Sequence, residues 1–326
     1  MDVLIVEALD PDVLNWLTAR HAVRYAPELA QQPHAFRDAL HGVRSIIIPP
    51  SVALDAAALQ RAPRLRIVGR LSAGAENIDI EACGRAGIEV VRPASASAAA
   101  EAEFVIGALL QMLRRVPIIS DDGLLVGREL GGLTVGLVGM TATVKPLKQL
   151  LQAFGARIVG YDPGMHASDP IWARSGIEPV GLLDLLRASD AVAVVLTYFP
   201  RFAGLFGERL LSECRFNQVW VSLAHSSLFD EHALAQALRE GPLAAAWLDS
   251  LEPGALDPGR PLRHIDTLQV TPRVGATTRQ SRVRSAWAVA RRIDELLLSS
   301  PPPPRQDFSQ TQPGAFADLE DGPTPA

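Results

Sequence analysis

Short apolar runs alternate with longer amphipathic stretches along most of the chain. Residues 3–6, 22–25, 45–48, 65–69 and 88–91 read as strands. Between them lie helical patterns, one capped by Asp10 and running to residue 19, another at 52–61. Unbroken apolar strands separated by helices predict a parallel sheet covered on both faces. The small-residue run 93–100 reads as a connector. Residues 101–116 read as a long apolar helix that bridges two domains, with Glu101 favourably placed at its start. The alternation then resumes, with strands at 134–138, 157–161, 191–196, 218–223, 244–248 and 267–270. Helices are expected at 146–154, 181–187, 207–213 and 230–239, and a last one at 278–298 returns to the first domain. The fold class is therefore α/β with two doubly wound parallel sheets. Residues 299–326 are rich in Pro, Gly and polar side chains and are expected to be disordered.

The chain has 326 residues, of which 48% are hydrophobic and 21% charged, enough for two packed domains. Its net charge of -5 and the lack of a Lys/Arg cluster argue against a nucleic-acid partner. Two distant cysteines, Cys83 and Cys214, form neither a disulfide framework nor a metal-ligand spacing, which fits a reducing cytoplasm. The start, MDVLIVEALD, reads as a first strand rather than a signal peptide. No apolar run reaches the roughly 18 residues that span a bilayer, so no membrane partner is expected. His21, His34, His41, His166, His232 and His264 show no grouping for a metal and read as surface residues.

The chemistry concentrates in residues 135–163, VGLVGMTATVKPLKQLLQAFGARIVGYDP. A strand, a tight turn, a helix and a second strand ending in an acid have the shape of a dinucleotide-binding βαβ unit. Three glycines are usual in that turn. Here Gly139 holds the first place, Thr141 the second and Val144 the third. Thr141 and Thr143 offer hydroxyls to phosphate oxygens, with Ala142 between them. Lys145 and Lys148, the only lysines in the chain, fall beside the positive helix end. They compensate for lost backbone contacts, or they are simply the solvated face of the helix. Asp162, 23 residues after Gly139, stands where a carboxylate binds the ribose hydroxyls of NAD and repels the 2'-phosphate of NADP.

Further segments carry a resemblance: GRLSAGAENID at 69–79, AEF at 102–104, LAHSSLFDEHALAQAL at 223–238, AAAWLDSLEPGAL at 244–256 and TPRVGATT at 271–278. In this order they resemble the D-isomer-specific 2-hydroxyacid dehydrogenases, from about residue 1 to 298. The resemblance implies a flavodoxin-like substrate domain made of 1–98 and 284–298, and a Rossmann NAD-binding domain, 99–283, inserted in it. It implies hydride transfer between NAD and a 2-hydroxy or 2-keto acid, and a homodimer formed through the NAD domain. By the same resemblance Asp249 contacts the nicotinamide amide, Ala224 makes a backbone contact to the cofactor, and Leu196 and Thr197 line its adenosine side. Arg70, Ser72, Ala73 and Gly74 match a substrate loop whose amides receive a carboxylate.

The chain departs from the family where the reaction takes place. The family's arginine, usually in ARGG, is replaced by His225 in Ala224-His225-Ser226-Ser227. Its histidine, usually in PHIG, is replaced by Arg273 in Pro272-Arg273-Val274-Gly275. Its glutamate falls at Gly254, and the available acid is Glu252. Two readings follow. His225, Glu252 and Arg273 form a swapped catalytic set, with His225 relaying protons and Arg273 binding carboxylate. Alternatively the family's reaction is lost, leaving a nucleotide-binding or scaffold relative, or a changed reaction on the same fold.

Overall fold

A computed structural model describes residues 1–299 apart from 73, 75 and 76. Of the expected tail, 299–326, all but Ser299 lies outside the described residues, as does Ala73. Five short strands, β1 (Val3–Ile5), β2 (Val23–Tyr25), β3 (Ser45–Ile47), β4 (Ile67–Gly69) and β5 (Glu89–Val91), form one parallel sheet in the order β2-β1-β3-β4-β5. Helices α1 (Pro11–Thr18), α2 (Pro33–Ala39), α3 (Ala56–Gln60) and α4 (Ile80–Arg85) connect them. Asp10, Asp55 and Asp79 cap α1, α3 and α4 through their carboxylates.

The chain leaves this sheet through α5 (Ala94–Arg115) and a hairpin, β6 (Ile118–Ile119) and β7 (Leu125–Val126). Seven strands then form a second sheet. They are β8 (Thr134–Val138), β9 (Arg157–Tyr161), β10 (Glu178–Pro179), β11 (Ala191–Val194), β12 (Gln218–Ser222), β13 (Leu243–Leu248) and β14 (Leu268–Val270). The helices between them are α6 (Val144–Ala153), α7 (Pro170–Ser175), α8 (Leu182–Ala188), α9 (Glu208–Leu211) and α10 (Glu231–Arg239), and α11 (Arg279–Leu298) closes the described chain. The order β10-β9-β8-β11-β12-β13-β14 reverses between β8 and β11, and all its pairs are parallel. Both orders are those of doubly wound folds, which bind ligands in the crevice beyond the carboxyl ends of the strands, at the reversal. Each sheet has an apolar core on both faces.

Two expectations change here. The run 93–100 is no connector: it forms the first turns of α5, because alanine is the strongest helix former and nothing in the run interrupts it. Glu101 is therefore inside α5 rather than at its start. The segment Ser95–Arg115 also proves long and apolar enough to cross a membrane by length and composition, contrary to the expectation from the sequence. It is a core helix instead. Val105, Leu109 and Met112 pack with Val135, Leu137 and Val221 of the second sheet. Helix α11 returns to the first sheet, where Ala286, Val289 and Ile293 meet Val3, Ile5, Ile47 and Ile67. His21 is not a surface residue: its ring is largely buried at this junction, 2.8 Å from the Asp294 carboxylate.

Candidate functional site

The turn after β8 is set by one residue. Gly139 has φ +103, and a Cβ there would lie 2.6 Å from both N and Cα of Leu196, at the end of β11. Only glycine meets both conditions. The turn thus sits in the crevice where the strand order reverses. Asp162, at the end of β9, accepts 2.7 Å from the Met140 amide and 2.8 Å from the Gly164 amide. Its carboxylate ties the turn to the loop after β9.

The replaced glycine positions are absorbed differently. Val144 is buried with Leu147 and Leu151 in the core between α6 and the sheet. The Thr141 hydroxyl is buried and makes no hydrogen bond to a described residue. Thr143 is also buried, but its hydroxyl donates to Glu101 Oε2, while Ser97 donates to Glu101 Oε1 at 2.8 Å. This corrects the expectation that the Thr143 hydroxyl faces a phosphate: a carboxylate 42 positions earlier accepts its hydrogen bond. Lys148 is likewise no phosphate ligand, because its ammonium donates to the Ser175 carbonyl at the end of α7. Lys145 and Ala142 stay exposed at the start of α6. Leu196 and Ala224 are buried at the ends of β11 and β12, and Thr197 is exposed beside them.

The structure brings His225 and Glu252 together. His225 Nε2 lies 3.1 Å from Glu252 Oε1, and Nδ1 accepts from the Ser227 amide at 3.4 Å. An accepting Nδ1 puts the ring proton on Nε2, where it is donated to Glu252. Tyr198 stacks on the imidazole with ring centroids 4.7 Å apart. Ser227 donates to the same glutamate oxygen at 3.1 Å, and the Glu252 amide donates 3.0 Å to the Ser226 hydroxyl. Gly254, where the family has its glutamate, has φ +80, a conformation that disfavours any side chain.

Arg273 meets other partners. Its backbone is also left-handed, at φ +56, and its amide donates 2.6 Å to the Asp249 carbonyl. Its Nε donates 3.2 Å to the Ser250 hydroxyl. The buried Asp249 carboxylate accepts from the Thr271 hydroxyl at 2.6 Å, the Val274 amide at 2.9 Å and the Gly275 amide at 2.8 Å. It locks the turn that carries Arg273.

On the first sheet, Arg70 is fully buried and donates to Asn77 Oδ1 and, at 2.7 Å, to Ser72. Asn77 in turn donates to the carbonyls of Pro49 and Val52. The Arg70 side chain thus braces the loops after β3 and β4. Ser72 is exposed and Gly74 half-buried in that loop.

A further acid, Glu7 at the carboxyl end of β1, went unnoticed among the candidate residues of the sequence. Burial pushes its carboxyl up to about 7, against the charges of Arg282 and Arg70 and the Leu71 amide. Its Oε2 is buried without a hydrogen-bond partner among the described residues. An acid directly after the apolar run VLIV, where a parallel strand opens on the crevice, was the available signal.

Residues 108–275 match the model of the D-isomer specific 2-hydroxyacid dehydrogenase family's NAD binding domain. A D-3-phosphoglycerate dehydrogenase from Mycobacterium bovis is 33% identical over 308 residues, covering 89% of this chain and 56% of that protein. The chain thus spans about half the length of the first curated relatives it matches. An (S)-sulfolactate dehydrogenase from Chromohalobacter salexigens is 29% identical, covering 88% of this chain and 95% of its own length. Among solved structures, the TT0316 protein from Thermus thermophilus superposes with a TM-score of 0.75 at 26% identity, covering 91% of this chain and 97% of its own.

Proposed function

We propose an NAD-dependent 2-hydroxyacid dehydrogenase activity for this chain, which belongs to the D-isomer specific 2-hydroxyacid dehydrogenase family. The observation that carries this reading is the Gly139 turn, held against Leu196 and beside Asp162 at the reversal of strand order. The residues present fit the cofactor: Gly139 keeps the turn, and the buried Thr141 hydroxyl, which has no partner among the described residues, is available to a phosphate oxygen. Bound NAD supplies the hydride donor or acceptor.

The chain's own residues do the rest. Asp162 receives the ribose hydroxyls and disfavours NADP through charge repulsion. Leu196, Thr197 and Ala224 line the cofactor, and Asp249 holds the adjacent 271–275 turn. His225 exchanges the proton of the substrate oxygen, and Glu252 stabilises the charged imidazole. Arg273 supplies positive charge at the same crevice. The amides around Ser72 and Gly74 face the substrate. Residues 1–98 with 284–298 act as the substrate domain, and 99–283 as the cofactor domain. A second copy docks through the β6–β7 region, where Ile119, Leu124 and Leu125 are exposed. Both cysteines are free and buried, which supports a cytoplasmic setting.

NADH fluorescence titration, followed by loss of NADH absorbance with a panel of 2-keto acids, tests the reading. Binding with turnover of at least one keto acid is expected. An absence of NADH binding at millimolar concentration overturns it. Sedimentation tests the dimer separately.

A further inference from the structure

Three loops meet at the carboxyl ends of β11, β12 and β13, and hydrogen bonds stitch them together. The Gly204 amide donates 2.8 Å to the Ser227 carbonyl and the Phe206 amide 2.8 Å to the Leu228 carbonyl, which joins the loop after β11 to the turn that carries His225. The Glu252 amide joins the loop after β13 to the same turn through the Ser226 hydroxyl, 3.0 Å away. Tyr198, in the first of these loops, lays its ring on the His225 imidazole, with centroids 4.7 Å apart and planes inclined by 21°. Beside it Pro200–Phe202 forms a short 3-10 turn, and Arg201 stacks on Phe199 and Phe202 at 5.1 and 4.8 Å. The loop is held by these contacts of its own, so Tyr198 is presented to the imidazole rather than carried by it.

The in-plane contacts of His225 are unequal. Nε2 meets the Glu252 carboxylate at 3.1 Å, whereas Nδ1 has only the Ser227 amide, at 3.4 Å, near the limit of hydrogen-bond distance. Nδ1 is therefore the nitrogen that a substrate hydroxyl can claim. In oxidation the substrate O–H bond breaks and its proton forms a bond to Nδ1; in reduction Nδ1 returns the proton to the carbonyl oxygen. Each transfer is matched by the cofactor's hydride, and Nε2 keeps its bond to Glu252 throughout. Two in-plane bonds set where the ring edges point but leave the ring free to tilt about the line between them. A stacked ring removes that tilt. The Tyr198 hydroxyl makes no hydrogen bond to a described residue, so the ring face is the part in use. An arginine, usual at this position in the family, carries its own rigid planar fork. A histidine there needs a neighbour to fix its plane.

We infer that Tyr198 is a positioning residue of the reaction: its ring holds the His225 imidazole so that Nδ1 faces the substrate oxygen while Nε2 stays on Glu252. This rests on the dehydrogenase reading of the same crevice. Tyr198 touches the imidazole and acts through it, so its loss weakens proton transfer and leaves binding intact.

The test compares Tyr198→Leu and Tyr198→Met, which remove the ring, with Tyr198→Phe, which keeps it. The full chain is assayed by steady-state kinetics with NADH and a 2-keto acid that the wild type reduces, and by NMR after histidine labelling. Without the ring, kcat should fall by about 20-fold, with KM for the keto acid and Kd for NADH within about twofold of wild type. Phenylalanine should rescue kcat to within about threefold. In the spectrum the His225 ring protons, assigned by their loss in His225→Gln, should lie upfield under the Tyr198 ring current. They should move downfield in Tyr198→Leu and stay in place in Tyr198→Phe. The inference is overturned if the ringless variants keep wild-type kcat, if Tyr198→Phe loses as much as they do, or if the loss falls on KM or NADH affinity instead. His225 protons that do not move in Tyr198→Leu overturn it as well. Turnover that ignores Tyr198 would sink the inference and leave the dehydrogenase reading standing. A wild type that reduces no 2-keto acid would overturn that reading, and this role with it.

Discussion

The cofactor turn and the reaction centre have both lost family residues, but the losses have different consequences. In the turn, function depends mainly on backbone. One glycine keeps the chain path, Val144 joins the core, and Thr143 finds Glu101. The path between β8 and α6 is preserved although two of three positions changed. At the ends of β12 and β13, function depends on side chains. His225 now pairs with Glu252, and Arg273 turns to Ser250. A backbone cradle tolerates substitution wherever the new side chain can be buried or bonded elsewhere. A set of reacting groups does not, because each must reach one particular atom of the substrate.

The largest break in this contrast should come from Gly139→Val. The added side chain meets Leu196 backbone at 2.6 Å and requires φ +103. Unfolding in denaturant should show a loss of about 4 kcal/mol, with NADH binding lost as well. A variant that keeps wild-type stability would show that the turn relaxes freely.

Glu7→Gln tests the opposite side of the crevice. The folded carboxyl titrates near 7, above its ordinary value of 4.5, so the folded chain holds this proton more tightly than the unfolded chain does. Stability from this group is therefore full below about pH 4.5 and declines as pH rises to 7. Glutamine removes the decline. It should leave stability unchanged at pH 4 and raise it by up to about 3 kcal/mol at pH 8. Parallel pH–stability curves for the two proteins would contradict the burial argument.

Glu252→Gln sharpens the reaction-centre half. It removes the charge that favours the imidazolium of His225 at 3.1 Å. Turnover should fall by about tenfold or more, with NADH affinity unchanged. A change in NADH affinity alone would move Glu252 from proton handling to cofactor binding. The smallest effect belongs to Thr143→Val, which deletes the bond to Glu101. About 1 kcal/mol of stability should be lost, with NADH affinity within twofold. A large loss of affinity would mean that this hydroxyl serves phosphate after all.

Periodicity made the parallel sheets legible, and local spacing exposed Gly139 and Asp162, because a turn and a strand end are set by neighbouring residues. The partners of side chains were not legible. Thr143 meets Glu101 across 42 positions, and Lys148 meets Ser175 across 27. Glu7 and Arg282 come from opposite ends of the chain and meet only because α11 folds back on β1 and β4. The run 93–100 misled for a different reason. Small residues suit linkers and helices alike, and the packing of α5 between the sheets decides between them.

The central claim is that the backbone cradle survives the loss of two glycines and still selects NAD. Parallel fluorescence titrations with NADH and NADPH test it most directly. The account predicts NADH binding with Kd below about 100 μM and NADPH weaker by about 100-fold, with Asp162→Ala narrowing that ratio. Equal affinity for both cofactors, or no NADH binding at millimolar concentration, would contradict it.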